Sequence, residues 1–225
     1  MKRFYSQVAL TDNGVHLDGR PVRTPARAAL VLPSFALAQA VAEEWRAQGD
    51  EIDPRSMPLT GLANAAIDRV APDPAAFAAP LGRYAETDLL CYRADAPVAL
   101  AAAQAIEWDA LLAWARDRYD MRFEVTSGIV HVSQPPATVV RLSEALTARD
   151  HFALAAMQPL VTIGGSLVVA LALAEGRIGA EQAFDATHLD KLWQVRQWGE
   201  DDLALKAREA RRRDFLAAAR FLALL

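Results

Sequence analysis

FYSQVALTDNGVHLDGRPVRTPARAALVLPSFALAQAVAEEW, residues 4–45, decides the fold, because its periodicity changes partway along. Phe4 to Leu10 is a mixed apolar run, followed by a turn at Asp12-Asn13-Gly14. Val15-His16-Leu17 comes next, then a second turn at Asp18-Gly19. Apolar runs parted by Asn-Gly and Asp-Gly signal a hairpin, since these residues tolerate the left-handed backbone of tight turns. Pro21 and Pro25 keep the following segment extended and at a sheet edge, and Ala28 to Leu32 reads as one more strand. At Pro33-Ser34 the pattern becomes helical. Ser34 is a good N-cap, and Leu37, Val41 and Trp45 then recur at four-residue spacing along one face.

Beyond this segment, the polar stretch Gln48 to Pro58, with Pro54 and Pro58, reads as a linker. Helices are then expected at Leu62 to Val70, Phe77 to Thr87, Ile106 to Tyr119, Ala137 to Ala148, Phe152 to Ala174, Ala180 to Gln197 and Glu200 to the end. Phe123 to Val132 alternates well enough for a hairpin broken at Ser127-Gly128. The order of elements predicts an α+β protein: a small β-rich N-terminal domain with one helix, residues 1–56, then a mainly α-helical C-terminal domain, residues 57–225.

The bulk properties exclude more than they assign. The chain has 225 residues and a formal charge of -4, which predicts no steering toward nucleic acid. The basic run Lys206, Arg208, Arg211, Arg212, Arg213 is interleaved with Glu209 and Asp214 and reads as a solvated helix surface. The tail after it, from Phe215 to Leu222, is apolar on nearly all sides and must dock on the body or on a partner. Phe152 to Ala174 carries no charge over a span long enough for a bilayer. It is nevertheless interrupted by Gln158, Pro159, Thr162 and Gly164-Gly165, so a buried helix pair is expected in place of stable membrane insertion. One cysteine, Cys91, forbids an intrachain disulfide and fits a reducing compartment, and the first residues resemble no signal or transit peptide.

A search for chemistry returns little. His16, His131, His151 and His188 lie far apart, with no second ligand at helical metal spacing. Cys91 stands among apolar neighbours and reads as an inert buried thiol. No phosphate-cradling or dinucleotide glycine motif is present, and Gly164-Gly165-Ser166 reads as close helix packing or a kink. The chain is therefore expected not to be an enzyme and to need no cofactor or metal. The alternative enzyme reading would use Asp88, Tyr84 and Arg83. The most distinctive local feature is Trp198-Gly199-Glu200-Asp201-Asp202. Its carboxylates either complement the dipole of the last helix or, with Trp198, form an acidic-aromatic patch for a partner.

Several phrases together resemble one family. They are RFY at residues 3–5, LDGRPVRTP at 17–25, AEEW at 42–45 followed by Gln48, MPLTGLANAAID at 57–68, YAETDLLCYR at 84–93, GSLVVALAL at 165–173 and WGED at 198–201. In this order they resemble the assembly chaperones that bind the alpha subunit of the mitochondrial-type ATP synthase, found in mitochondria and related bacteria. Lys191, after Asp190, stands where that family's pattern would have an acidic residue, and Gly164-Gly165-Ser166 stands for an expected Ser-Gly-Ser. The resemblance implies an ATP-independent chaperone that holds the free alpha subunit until the beta subunit arrives. It would be cytoplasmic here and sit in the mitochondrial matrix for eukaryotic relatives. A general holding chaperone or adaptor with several clients is the alternative. The partner-binding candidates are Trp198, Glu200 and Asp201, then Trp45 and Asp88. Trp45 also fits the core through the Leu37-Val41 stripe, and Asp88 also fits a turn cap.

Overall fold

The computed structural model describes all residues from 1 to 225. Its N-terminal part is the expected small antiparallel sheet. Strands β1 (Val8–Thr11) and β2 (Gly14–Leu17) pair with Val8 opposite Leu17 and Thr11 opposite Gly14. The turn between them places Asp12 and Asn13 at φ 49 and 59°, the two-residue geometry whose twist matches the strands. A second turn, with Asp18 at φ 47° and Gly19 at φ 77°, leads into the short edge strand β3 (Arg20–Pro21). Ala28 to Leu32 does not form the expected strand. It makes only single bridges, Arg23 to Ala29 and Gly14 to Val31, because the chain turns at Arg27 (φ 68°), whose N–H donates to the Thr24 carbonyl.

Helix α1 (Phe35–Arg46) starts where expected, with the Ser34 hydroxyl accepting from the Leu37 N–H. Leu37 and Val41 are buried under the sheet, and Trp45 is half-buried at the end of the same stripe. The Gln48 to Pro58 stretch is packed, not a free linker. The buried Gln48 amide donates to the Glu44 carbonyl and Ser56 Oγ and accepts from the Asp53 N–H, while Ile52 and Met57 enter the core. Then follow α2 (Pro58–Ala65), a π-helical turn over Ala66–Val70, α3 (Pro74–Gly82) and α4 (Val98–Tyr119). The chain ends with α5 (Pro136–Thr147), α6 (His151–Gly164), α7 (Leu167–Ala174), α8 (Ala180–Thr187), α9 (Leu189–Trp198) and α10 (Asp202–Ala223). A small antiparallel sheet followed by helices is the α+β architecture anticipated.

Two further expectations are corrected, and the buried helix pair is met. Phe123 to Val132 is no hairpin: Thr126–Ser127 (β5) pairs in parallel with Tyr92–Arg93 (β4), a partner far away in sequence. The expected Ala180 to Gln197 helix is two, α8 and α9, parted at His188, whose ring stacks on Phe184 at 3.9 Å. The apolar run from Phe152 to Ala174 is α6 and α7, almost wholly buried. By length and composition the one helix able to cross a membrane is α4, and its Leu100, Trp108, Leu111, Leu112 and Ala115 pack in the interior.

The break between α6 and α7 sits at the two glycines. A side chain on Gly164 would meet the Thr187 γ-methyl at 2.9 Å, so this glycine allows α8 to approach. Gly165 closes α6 in the left-handed conformation, φ 69°, and Ser166 then caps α7 by accepting from the Val169 N–H. Gly165→Ala should cost about 1–2 kcal/mol, because a β-carbon opposes that backbone region. A urea-unfolding midpoint unchanged by the substitution would contradict this reading.

The apolar tail docks on the body. Phe215, Ala218, Ala219 and Phe221 of α10 are buried, with Phe221 6.5 Å from Phe152 of α6 and Phe215 5.6 Å from Phe184 of α8. The Ser34 hydroxyl also donates to the Leu224 carbonyl, tying the end of α10 to the start of α1. One hydrophobic cluster runs from Tyr5 and Val15 of the sheet region to Phe221.

Candidate functional site

Most of the distinctive phrases are occupied with each other. Arg3 donates to the Gln48 carbonyl at 2.7 Å, and the Tyr5 hydroxyl donates to the Trp45 carbonyl at 2.7 Å, which binds RFY to the end of α1. Asp68, at the end of MPLTGLANAAID, accepts from Thr24 Oγ1 at 2.6 Å and from the Ala26 N–H at 2.9 Å, holding the loop after LDGRPVRTP. Glu44 of AEEW accepts from the N–H groups of Leu59 and Thr60 and from Thr60 Oγ1, at 2.7–2.8 Å. It thereby caps α2, whose own N-cap residue Met57 offers no side-chain bond.

Asp88 belongs to the same class. It is fully buried and accepts from the Leu90 N–H at 3.1 Å, from Ser166 Oγ at 2.7 Å and from the Val168 N–H at 3.0 Å. It therefore caps both the short turn Leu89–Cys91 and the start of α7. Burial raises its pKa to about 6 against the pull of these donors. Offered as a partner contact, Asp88 has no surface in this structure, and its sequence reading as a turn cap describes it better. The enzyme constellation does not assemble either: Asp88 is sealed in, Tyr84 packs on the core and Arg83 is exposed. Cys91 is buried, and burial and the Asp88 charge push its thiol up to about 12.

WGED is arranged differently. Its elements are α9 and α10, joined at Gly199 (φ 78°), which turns the chain between them. Asp201 N-caps α10, accepting from the Leu203 and Ala204 N–H groups at 2.9 Å, so the helix-dipole reading of this carboxylate is realised. Glu200 turns inward, its side chain only 7% exposed, in a two-pronged ion pair with Arg208 that closes to 2.7 Å. It braces the corner from beneath and offers little to a partner. Trp198 is left standing out, 74% exposed, edge-on to Trp193 at 5.7 Å.

The surroundings of Trp198 extend this surface. Helix α9 has no buried residue although it carries Leu192, Trp193, Val195 and Trp198. One tie to the body is Asp190, which accepts from the buried Gln104 amide at 2.7 Å. Leu203 lies just beyond the corner, 79% exposed. Beside α9 a groove of about 510 Å³ runs against α4 and α8, with Ile106, Glu107, Asp185, Leu192, Trp193 and Arg196 in its walls. An exposed tryptophan, with a half-buried one beside it in a groove of mixed apolar and charged walls, is typical of protein-binding surfaces.

Comparison with known proteins identifies the family of the chain. The family described as ATP12 chaperone protein matches residues 2–116. The chain belongs to the ATP12 chaperone family. The crystal structure of Atp12 from Paracoccus denitrificans is 42% identical, covers 99% of this chain and 97% of its own, and superposes with a TM-score of 0.93. The Atu1473 protein of Agrobacterium tumefaciens is 41% identical over 99% of this chain and 85% of its own, with a TM-score of 0.92. The mitochondrial atp12 protein of Schizosaccharomyces pombe is 25% identical over 214 residues, 88% of this chain and 74% of that protein. An ATP12 chaperone is not an enzyme, and the buried contacts of Asp88 and Glu44 are those of a scaffold. Sequence reasoning missed Trp193, Leu203 and the groove. Trp193 alone carried a signal, its spacing of five residues from Trp198.

Proposed function

We propose that this ATP12 chaperone binds the free alpha subunit of the F-type proton-transporting ATP synthase in the bacterial cytoplasm, and that the α9–α10 corner is its contact surface. The observation that carries the proposal is a helix with two tryptophans and no buried residue. Covering one such ring removes roughly 200 Å² from water, about 5 kcal/mol before ordering costs are subtracted. An isolated subunit of an alternating ring exposes apolar interfaces that invite aggregation. A chaperone covering one of them without ATP must let go when the beta subunit competes for it, and a compact aromatic patch gives such reversible affinity.

Among the sequence candidates, Trp198 is the direct contact, Asp201 and Glu200 build the corner that presents it, and Trp193 and Leu203 complete it. Trp198→Ala should weaken binding of purified alpha subunit about tenfold or more while leaving circular dichroism and unfolding midpoint unchanged. Calorimetric titration reads both affinities. Equal affinity for wild type and variant would move the contact away from this corner.

A further inference from the structure

A second surface lies at the other end of the chain. A cleft of about 660 Å³ opens between the sheet and the end of α1, with Phe4, Tyr5, Arg20, Arg23 and Trp45 in its walls. Three aromatic rings stand in sequence there: Phe4 meets Tyr5 edge-on at 5.4 Å, and Tyr5 meets Trp45 at 5.7 Å. Phe4 is 65% exposed. Arg3 lies over the Tyr5 ring at 4.6 Å.

The charges of the cleft are unbalanced. Its carboxylate, Asp18, is taken up by the backbone, accepting from Ser6 N–H at 3.1 Å and from Gln7 N–H at 2.8 Å. Arg20 and Arg23 are exposed and neither forms an ion pair, although nine such pairs exist in the molecule. Arg23 spends one N–H on the Arg27 carbonyl. The Trp45 indole N–H is buried without an acceptor. The walls therefore present two guanidinium groups without ion-pair partners beside aromatic side chains, with Asp18 as the one opposing charge.

We infer that this cleft binds an extended acidic segment of a partner protein, carboxylates on Arg20 and Arg23 and apolar side chains on Phe4 and Trp45, with the buried Tyr5 ring behind them. Guanidinium groups match carboxylates in a two-pronged geometry, and aromatic faces anchor the intervening side chains. Nucleic acid is the weaker occupant, since the molecule carries a net charge of -4 and a phosphate track needs a wider basic surface. The cleft shares no residue with the α9–α10 corner, and the inference stands whether or not that corner holds the alpha subunit.

The test uses the full chain labelled with ¹⁵N at its tryptophan indoles, with Trp45 assigned by Trp45→Phe. The probe is an acetylated peptide of alternating leucine and glutamate, set beside its leucine-lysine counterpart and an oligothymidylate. The expected result is a saturable shift of the Trp45 indole resonance with the glutamate peptide alone, while Trp198 stays in place. The surface double variant Arg20→Glu, Arg23→Glu should weaken that binding at least tenfold with unchanged circular dichroism. If Trp45→Phe fails to fold, the double variant identifies the cleft resonance by the loss of its response. No saturable shift, an equal response to the lysine peptide, tighter binding of the oligothymidylate, or indifference to the double variant would each overturn the inference.

Discussion

Asp88→Ala is expected to lower the stability of the folded chain by about 3 kcal/mol at pH 7, a large part of the 5–15 kcal/mol typical of a domain. The carboxylate accepts from two backbone N–H groups and the Ser166 hydroxyl in a fully buried position. Removing it leaves those donors without acceptors and takes away one of the two side-chain caps of α7, the Ser166 bond to Val169 remaining. The effect has a signed pH dependence. Burial raises the folded pKa from 3.8 to about 6, so between roughly pH 4 and 6 the folded chain holds more protons at this site than the unfolded one. Its contribution is therefore most favourable below the unfolded value and is lost as pH rises through about 6. The stability difference between wild type and variant should widen on acidification from pH 7 to pH 4, by on the order of 3 kcal/mol. Glu175, whose pKa is lowered chiefly by its bonds from Tyr119 and Arg118 against an opposing burial effect, acts the other way, but equally in both proteins. Urea titrations at several pH values measure the difference, and one that is flat or narrows toward pH 4 would contradict this account.

Glu44→Ala is expected to cost a comparable amount, about 3 kcal/mol. One carboxylate on α1 supplies the whole N-terminal cap of α2, taking two backbone N–H groups and the Thr60 hydroxyl. A lost cap costs about 1–2 kcal/mol, and each buried donor left unpaired adds about 1–3 kcal/mol, partly relieved by water entering. Glu44→Gln keeps one acceptor oxygen and should lose about half as much. Hydrogen exchange at the Leu59 and Thr60 amides should quicken in both variants. Protection equal to wild type at these two amides would show that α2 is capped by other means.

These two residues also explain how much the sequence disclosed. Local chemistry was legible: the Asp12-Asn13 turn, the Ser34 cap and the Gly165-Ser166 break each depend on a few adjacent residues. Pairings between distant segments were not. Nothing near Phe123 to Val132 reveals that its partner is Tyr92–Arg93, so an alternating run was read as a local hairpin. The alanine-rich start of α4 carries no stripe, which hid eight residues of helix and with them the buried Gln104 that ties α9.

The site was legible in part, for the same reason. Asp88 was a candidate contact in sequence, yet it spends its charge inside the fold, as Glu44 and Asp68 of the same family phrases do on helix and loop caps. Glu200 looked like an exposed acid because the ion pair from Arg208 lies two turns further along α10. Trp198 was found because an aromatic beside a Gly turn and a helix cap has no apolar stripe to join. WGED is the phrase whose charged groups close on their own helix, leaving its tryptophan free for a partner.

The central claim is that the α9–α10 corner holds the free alpha subunit, and one pull-down tests it most directly. Tagged wild type and Trp198→Ala are recovered from native lysate, with the Arg20→Glu, Arg23→Glu variant as a second surface control. Trp198→Ala is the informative change, since a substitution such as Glu200→Lys would break a buried ion pair. The account predicts that wild type brings down the ATP synthase alpha subunit without beta, and that Trp198→Ala loses most of it while remaining folded. Full recovery by Trp198→Ala would remove the corner from the contact. No alpha subunit with wild type, or a broad mixture of unrelated clients, would contradict the function itself.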